Sequence, residues 1–215
     1  MPDVNAALTL QSLPLFPLGT VLFPGGLLPL RIFEVRYLDM IRRCQKAGAP
    51  FGVVCLTQGH EVRQPGARQE GFAAVGTLAT LAEVQAPQPG LLMVRTHGTQ
   101  RFRIQSSEQL KHGLWVADVE QIPDDLAVTV PEDLQATADA LERLLETLKA
   151  QEDAQTEMPV WEPWQLQDCG WVANRWCEML PLPTAVKQRL MELDNPLLRL
   201  ELVSDLLARN GITGD

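Results

Sequence analysis

The sequence predicts an α+β protein, in which a β-rich first half forms a small barrel and a helical second half follows it. Two observations support this fold class. Between residues 51 and 122, short apolar stretches alternate with glycine- and proline-containing turns, which is typical of strands in a small barrel. After residue 123, apolar residues recur every three or four positions, which is the pattern of amphipathic helices.

The charge of the chain changes close to the point where the periodicity changes. Residues 1–119 carry 11 Lys and Arg against 8 Asp and Glu, whereas residues 120–215 carry 7 against 19. We therefore predict a barrel subdomain at 1–122 and a helical subdomain at 123–215. The acidic second half would repel a polyanion, which disfavours nucleic acid as a partner, although a basic patch on the first half could still attract one.

The composition is that of a protein able to build a core, with 46% hydrophobic and 21% charged residues. We expect no membrane span, because no run of about 18 uninterrupted apolar residues occurs. We expect no signal peptide, because prolines come early and no basic segment precedes them. The four cysteines form no CxxC pair, so reduced, mostly buried thiols in a cytoplasmic protein are predicted. The oligomeric state is left open.

The most apolar stretch of the chain, residues 13–44, is predicted to form a strand, a loop, a second strand and a helix. Residues 13–17 are predicted as an edge strand, because proline cannot donate to a ladder. The second strand is predicted at 27–33 and the helix at 34–47, with Gly48 as its C-terminal stop. The predicted buried stripe of this helix contains Val35, Leu38, Ile41 and Cys44, and the basic residues off the stripe are Arg36, Arg42, Arg43 and Lys46.

Further short strands bring the total to six or seven. They are predicted at 51–56, 73–84, 91–96, 101–104 and 114–122. Gly76, inside one of them, indicates a bulge or the close approach of another backbone. The sequence places His97 beside a turn, as a turn residue rather than a catalytic base.

The second half is predicted to be entirely helical apart from its connections. Helices are predicted from about 131 to 151 and at 166–180, 184–193 and 196–209, with a polar loop at 152–163. The last helix has Asn195 as N-cap and Pro196 in its first turn, and it ends before Gly211.

Four segments, in order, resemble the N-terminal domain family of Lon protease. They are LPLFPLGTVLFPGGLLPLRIFEVRYLDMI from residue 13, VGTLA from residue 75, VRTHGTQRFRI from residue 94 and LPLPTAVKQRLMELDNPLLRLELVSDLL from residue 180. The resemblance covers about residues 10–208, almost the whole chain. Each motif is modest alone, but four in the right order are fairly specific.

The resemblance implies a PUA-like pseudo-β-barrel of about six strands with one helix, followed by a C-terminal helical bundle. In full-length Lon the similar region recruits substrates and precedes an ATPase and a protease. This sequence contains no G-x-x-x-x-G-K-[ST] phosphate loop. We therefore expect a stand-alone member of the family that lacks both of those domains, has no cofactor and is not an enzyme.

No pattern of catalytic or metal-ligating residues is present. His60, His97 and His112 have no second ligand at metal spacing on a common element. None of the serines lies in a nucleophile elbow. Cys44 and Cys177 fall on or beside apolar helical stripes, where core packing is the default. We therefore predict no catalytic residue and no metal site.

Four of the five tryptophans lie between residues 161 and 176. One interpretation is that these rings pack the helical half against its neighbours, since aromatic side chains bury a large area. The other is that some of them contact a peptide, because tryptophan is enriched at binding hot spots. Trp161 and Trp164, which are flanked by prolines, are the candidates for peptide binding.

Three functional hypotheses follow. The first is a non-catalytic module that binds unfolded or apolar polypeptide segments, or a protein partner, in a groove between barrel and helices. The second is RNA binding through a basic barrel face that includes Arg101 and Arg103, although Phe102 between them alternates as a core residue would. The third, a hydrolase with an unrecognised site, has the least support.

Overall fold

The computed structural model describes residues 8–61, 70–151 and 158–212. The chain divides into two compact units, residues 1–124 (unit 1) and 125–215 (unit 2). Unit 1 contains helix α1 (Val35–Ala47) and the strands β1 (Thr9–Leu18), β2 (Leu27–Ile32), β3 (Phe51–Gln58), β4 (Gly71–Phe72), β5 (Val75–Gln88), β6 (Leu91–Gln109) and β7 (Trp115–Gln121). Unit 2 contains a 3-10 turn (Glu132–Leu134) and the helices α2 (Gln135–Ala150), α3 (Cys169–Met179), α4 (Thr184–Glu192) and α5 (Pro196–Arg209). Within the described ranges, no helix has both the length and the hydropathy needed to span a bilayer.

The strands of unit 1 form a pseudo-barrel. Hydrogen bonding runs in the order β1-β7-β6-β5-β3, and β3 then pairs in parallel with β1 over four residue pairs. The other pairings are antiparallel, with β4 beside β3 and β2 beside β6. The predicted α+β class, with a small barrel before helices, is therefore confirmed.

Strand β6 is the longest element of the barrel, with 19 residues. β5 pairs along one edge, while β2 and then β7 pair along the other. The prediction of two separate strands at 91–96 and 101–104, with His97 beside a turn, is wrong. His97 lies inside β6 and pairs with Leu27. The neighbouring Gly98 also lies inside the strand. A Cβ there would lie 2.4 Å from the carbonyl oxygen of Phe23, so this glycine permits close approach of another backbone.

The prediction that the first strand lies at an edge is wrong, because β1 pairs with both β7 and β3. The two pairings overlap only at Leu15. Pro14 lies in the half that pairs with β7, and Pro17 lies in the half that pairs with β3. Each proline therefore sits where the strand has one partner, and a proline whose nitrogen faces away from that partner removes no ladder bond.

The core of unit 1 is divided between two clusters. α1 contributes Tyr37, Leu38, Met40, Ile41 and Cys44 to the first cluster. Gly48 ends this helix with φ +60°, as predicted. The second cluster surrounds Phe102, whose ring edge would lie 2.7 Å from a Cβ on Gly76. Gly76 also allows the carbonyl oxygen of Val53 to come close, which confirms the predicted approach of another backbone.

The helices of unit 2 follow the predicted pattern, with two later starts. α2 begins at Gln135, after the 3-10 turn, rather than at about 131. α5 has the predicted bounds, and the N-cap Asn195 accepts a hydrogen bond from the Leu198 amide at 3.1 Å. α3 starts at Cys169 rather than 166, because the side chain of Asp168 caps it by accepting from the Trp171 amide at 2.7 Å. Part of the predicted loop, 152–157, lies outside the described residues.

A buried arginine, Arg199, joins several segments of unit 2. Its side chain is 1% exposed. It donates to Asp125 Oδ2 at 2.6 Å and to Asn174 Oδ1 at 3.0 Å. It also donates to the carbonyl oxygens of Leu190 and Leu193. One side chain on α5 thus fixes the start of unit 2, α3 and the end of α4.

Candidate functional site

An open groove of about 300 Å³ lies in unit 1 between the end of β1 and β2. We call it the β1–β2 groove. It is lined by residues 28–34, together with Phe16, Leu18, Thr20, Tyr37 and Glu61. Its size is at the lower end of the range for ligand-binding clefts.

The groove exists because of where the strands stop pairing. β1 pairs with β7 only as far as Leu15, and its last residues pair with β3 alone. Within the described ranges, β2 pairs only with β6. No described strand therefore lies between the end of β1 and β2, and the side chains of both border the gap.

Aromatic side chains form the inner wall of the groove. The rings of Phe16 and Tyr37 stack with their centroids 4.1 Å apart. Burial raises the pKa of Tyr37 above its usual range, so its phenol stays neutral. The two carboxylates that line the groove already have partners, since Glu61 accepts from the Gly19 amide and Glu34 pairs with Arg36. The wall therefore offers mostly apolar surface.

Two exposed apolar side chains stand where β2 leads into α1. Phe33, which lines the groove, is 53% exposed, and its neighbour Val35 is 73% exposed. The prediction that Val35 belongs to the buried stripe is wrong. Val35 is the first residue of α1 and lies about 120° around the helix from Ile41, the centre of the buried face, at 3.6 residues per turn.

A buried ion cluster holds the start of α1 beside the groove. Arg36 donates to the Gly113 carbonyl oxygen at 2.7 Å and to Glu34 Oε2 at 3.1 Å, and it lies 3.5 Å from Glu70 Oε1. Glu70 in turn accepts from Trp115 Nε1 at 2.7 Å. The burial of Arg36, which the sequence pattern places off the buried stripe, was missed, because Glu70 and Gly113 lie 34 and 77 residues away along the chain.

The predicted peptide-binding residues, Trp161 and Trp164, lie in unit 2 ahead of α3. The side chain of Trp161 is 42% exposed. Trp164 is partly buried, with Lys149 Nζ 5.7 Å from the centroid of its ring. Lys149 also pairs with Glu162, which lies between the two tryptophans. Their role in binding stays a prediction.

Trp176 packs inside unit 2, as the first interpretation of the tryptophan cluster predicts. Its side chain is buried, and Nε1 donates to the carbonyl oxygen of Thr137 at 3.0 Å. This bond joins α3 to α2, as the packing interpretation predicts for a ring with a polar edge.

The two arginines proposed for RNA binding have different environments. Arg101 is 4% exposed, whereas Arg103 is exposed on the surface of β6. Phe102 is buried in the second core cluster, as its predicted core role requires. Burial removes Arg101 from the basic face, so only Arg103 of this pair is accessible to a ligand.

The cysteines and other potential ligands form no reactive centre in the described part of the chain. There, no group of three His, Cys, Asp or Glu side chains could hold a metal ion. All four cysteines are buried with free thiols, as predicted for their burial. Burial raises the pKa of Cys177 to about 12 and also raises the pKa values of Cys44 and Cys169.

We expect the thiols to react very slowly with Ellman's reagent at pH 8 in the folded protein. Raising the pKa of Cys177 from 9.0 to about 12 lowers its thiolate fraction about 1,000-fold at that pH, and the thiolate is the reactive form. In urea, all four thiols should react at the rate of a free cysteine. Fast labelling of any cysteine in the native protein, located by mass spectrometry, would contradict this expectation.

The sequence matches the family model described as the ATP-dependent protease La (LON) substrate-binding domain over residues 12–209. The Lon protease of Anaeromyxobacter dehalogenans (strain 2CP-C) is 27% identical over 203 residues. That match covers 92% of this chain and 23% of the relative, so the chain spans about a quarter of the relative's length.

Solved structures agree with the family match. A Lon N-terminal domain protein from Xanthomonas campestris is 33% identical, with a TM-score of 0.69, over 93% of this chain and 98% of that one. The N-terminal domain of a Mycobacterium avium complex Lon protease is 19% identical, with a TM-score of 0.59, over 92% and 98%, and supports the fold alone. The resemblance seen in the four sequence segments is thereby confirmed, and the chain belongs to the family of ATP-dependent protease La (Lon) substrate-binding domains.

Proposed function

We propose that this chain is a non-catalytic module that binds unfolded or apolar polypeptide segments in the β1–β2 groove. The family description, a substrate-binding domain, supports a binding role. The location of the binding site is inferred from the open groove in unit 1, with the half-exposed ring of Phe33 at its rim. Exposed aromatic side chains beside a cleft are typical of protein-binding surfaces.

The binding energy in this proposal comes mainly from burial of apolar side chains. Each leucine-sized side chain that leaves water contributes about 1.5–3 kcal/mol. A groove of about 300 Å³ accommodates only a few such groups, and ordering the segment offsets part of the gain. We therefore expect a single segment to bind with a dissociation constant between about 10 μM and 1 mM.

We expect Phe33→Asp to weaken binding of a fluorescein-labelled, reduced and carboxymethylated polypeptide at least about tenfold, measured by fluorescence polarisation. The substitution replaces apolar contact area with a charge that binding would desolvate. Leu126→Asp is the matched control, because Leu126 is an exposed leucine of unit 2 that does not line the groove. Unchanged affinity of Phe33→Asp would exclude the groove as the binding site.

Trp161 and Trp164 form a second proposed contact, carried by unit 2. Trp161→Ala removes an exposed ring without breaking a described helix, so a loss of affinity would report on that contact directly. Labelled single-stranded RNA, titrated in parallel, tests the alternative. RNA binding that weakens steeply with salt and is lost in Arg103→Ala would contradict the proposal.

A further inference from the structure

The pairing of β2 fixes which of its backbone groups face the groove. The Gly98 amide donates to the Gly26 carbonyl oxygen at 2.8 Å, one step before the paired residues Leu27 and His97. In an antiparallel pair, residues alternate between those that bond to the partner strand and those whose N–H and C=O point the other way. Counting from Gly26, the residues bonded to β6 are Leu28, Leu30 and Ile32. The outward residues are Leu27, Pro29 and Arg31.

The outward side of β2 faces the gap in the pseudo-barrel. Three carbonyl oxygens, of Leu27, Pro29 and Arg31, point away from β6, together with the N–H groups of Leu27 and Arg31. Proline has no N–H, so its position on this side leaves the ladder with β6 intact. Across the groove, the end of β1 pairs with β3 on its far side. The groove thus lies between two strand edges that no described strand joins.

We propose that the groove takes polypeptide in an extended conformation, as an added strand whose main chain pairs with the outward groups of β2. This inference rests on the proposed function and specifies its binding mode. Outward groups on alternate residues recur about every 6.8 Å, which is the repeat of another extended main chain. Alternate side chains of the bound segment then face Phe16 and Leu18, on the apolar wall.

Pro29 limits the hydrogen bonds that the added strand can form with β2, because proline has no N–H. The bound segment donates to three carbonyl oxygens of β2 but accepts only from the amides of Leu27 and Arg31. The same missing donor weakens pairing between the β2 edges of two copies of this chain, since both edges would lack it. The strand edge therefore favours a foreign segment with free N–H groups over a second copy.

The test compares Arg31→Pro with Arg31→Ala, using the same labelled carboxymethylated polypeptide. Both variants lose the guanidinium, but only Arg31→Pro loses the outward N–H, and neither removes a bond to β6. We expect Arg31→Pro to bind at least about tenfold more weakly than Arg31→Ala. Circular dichroism melting curves check that both variants fold.

A second measurement uses the unchanged protein and so does not depend on how Arg31→Pro folds. A labelled peptide of alternating leucine and threonine is compared with two versions, N-methylated at either its odd or its even residues. Strand addition predicts that one methylated version loses binding and the other retains it, because only alternate amides face β2. Equal affinities for both versions would overturn the added strand and leave side-chain binding in the groove.

Two further outcomes separate the proposals. No binding of any peptide by the unchanged protein would overturn both the added strand and the proposed function. Concentration-dependent dimerisation in sedimentation experiments that disappears in Arg31→Pro, without peptide binding, would assign the β2 edge to a second copy and overturn the added strand.

Discussion

Replacing Arg199 by methionine is expected to lower the free energy of unfolding of unit 2 by about 3–5 kcal/mol. The substitution keeps much of the side-chain volume but removes every donor of the guanidinium. Asp125, Asn174 and two backbone carbonyl oxygens then lose the hydrogen bonds that Arg199 donates, in a site where Arg199 itself is 1% exposed. Losing several hydrogen bonds donated by one buried guanidinium, some of them to a carboxylate, is more costly than losing a surface ion pair.

Urea unfolding followed by tryptophan fluorescence measures this effect, because four of the five tryptophans belong to unit 2. Arg209→Met is the matched control. It makes the same chemical change on the same helix at an exposed residue, and it should alter stability by no more than about 0.5 kcal/mol. Adding Asp125→Leu to Arg199→Met should recover part of the loss. A loss below about 1 kcal/mol for Arg199→Met would show that the network contributes little.

Gly76→Ala is expected to destabilise unit 1 by about 3 kcal/mol, a large effect for one methyl group. The new Cβ would lie 2.5 Å from the carbonyl oxygen of Val53 and 2.7 Å from Cζ of Phe102. A ring can turn, but the carbonyl belongs to β3, which pairs with β5 and β1. Gly76 belongs to β5, so relief of the clash requires β3 and β5 to separate.

Hydrogen-exchange protection of β3 and β5 amides measures the loss of stability. Gly90→Ala separates steric conflict from backbone strain. The added Cβ meets no atom within 4 Å, but the alanine is held at φ +79°. This substitution should lower the stability of unit 1 by only about 1–2 kcal/mol. Adding Phe102→Leu to Gly76→Ala should restore little, because the Val53 oxygen stays in place. Full recovery in that double variant would assign the clash to the ring alone.

Local patterns were enough to predict much of the fold. The helical period predicted α5 with its bounds, and the cap residues Asn195 and Gly48 have the predicted geometry. These features depend on interactions within a few residues, which a sequence displays directly. Gly76 was also interpretable, because a glycine inside a strand usually marks a bulge or a close approach of another backbone.

The candidate site depends on long-range pairing and could not be predicted in the same way. The groove arises because β1 leaves β7 at Leu15 while β2 pairs with a different strand, and neither event has a local signal. Arg36 looks like a surface residue of a basic helix until Glu70 and Gly113 are brought to it. Phe33 has the sequence pattern of the end of a buried strand, and its exposure follows from β2 ending at Ile32.

The pairing of Leu15 with Trp115 also has a consequence for the order of events during synthesis. β1 is made early, yet its partner β7 is made about 100 residues later, which takes roughly 5–20 s of translation. During that interval Leu13 and Leu15, which end up buried, have no β7 to cover them. A nascent chain stopped before residue 115 thus exposes an apolar strand, and ribosome-bound chains of that length should depend on chaperones more than longer chains in which β7 has also emerged from the ribosome.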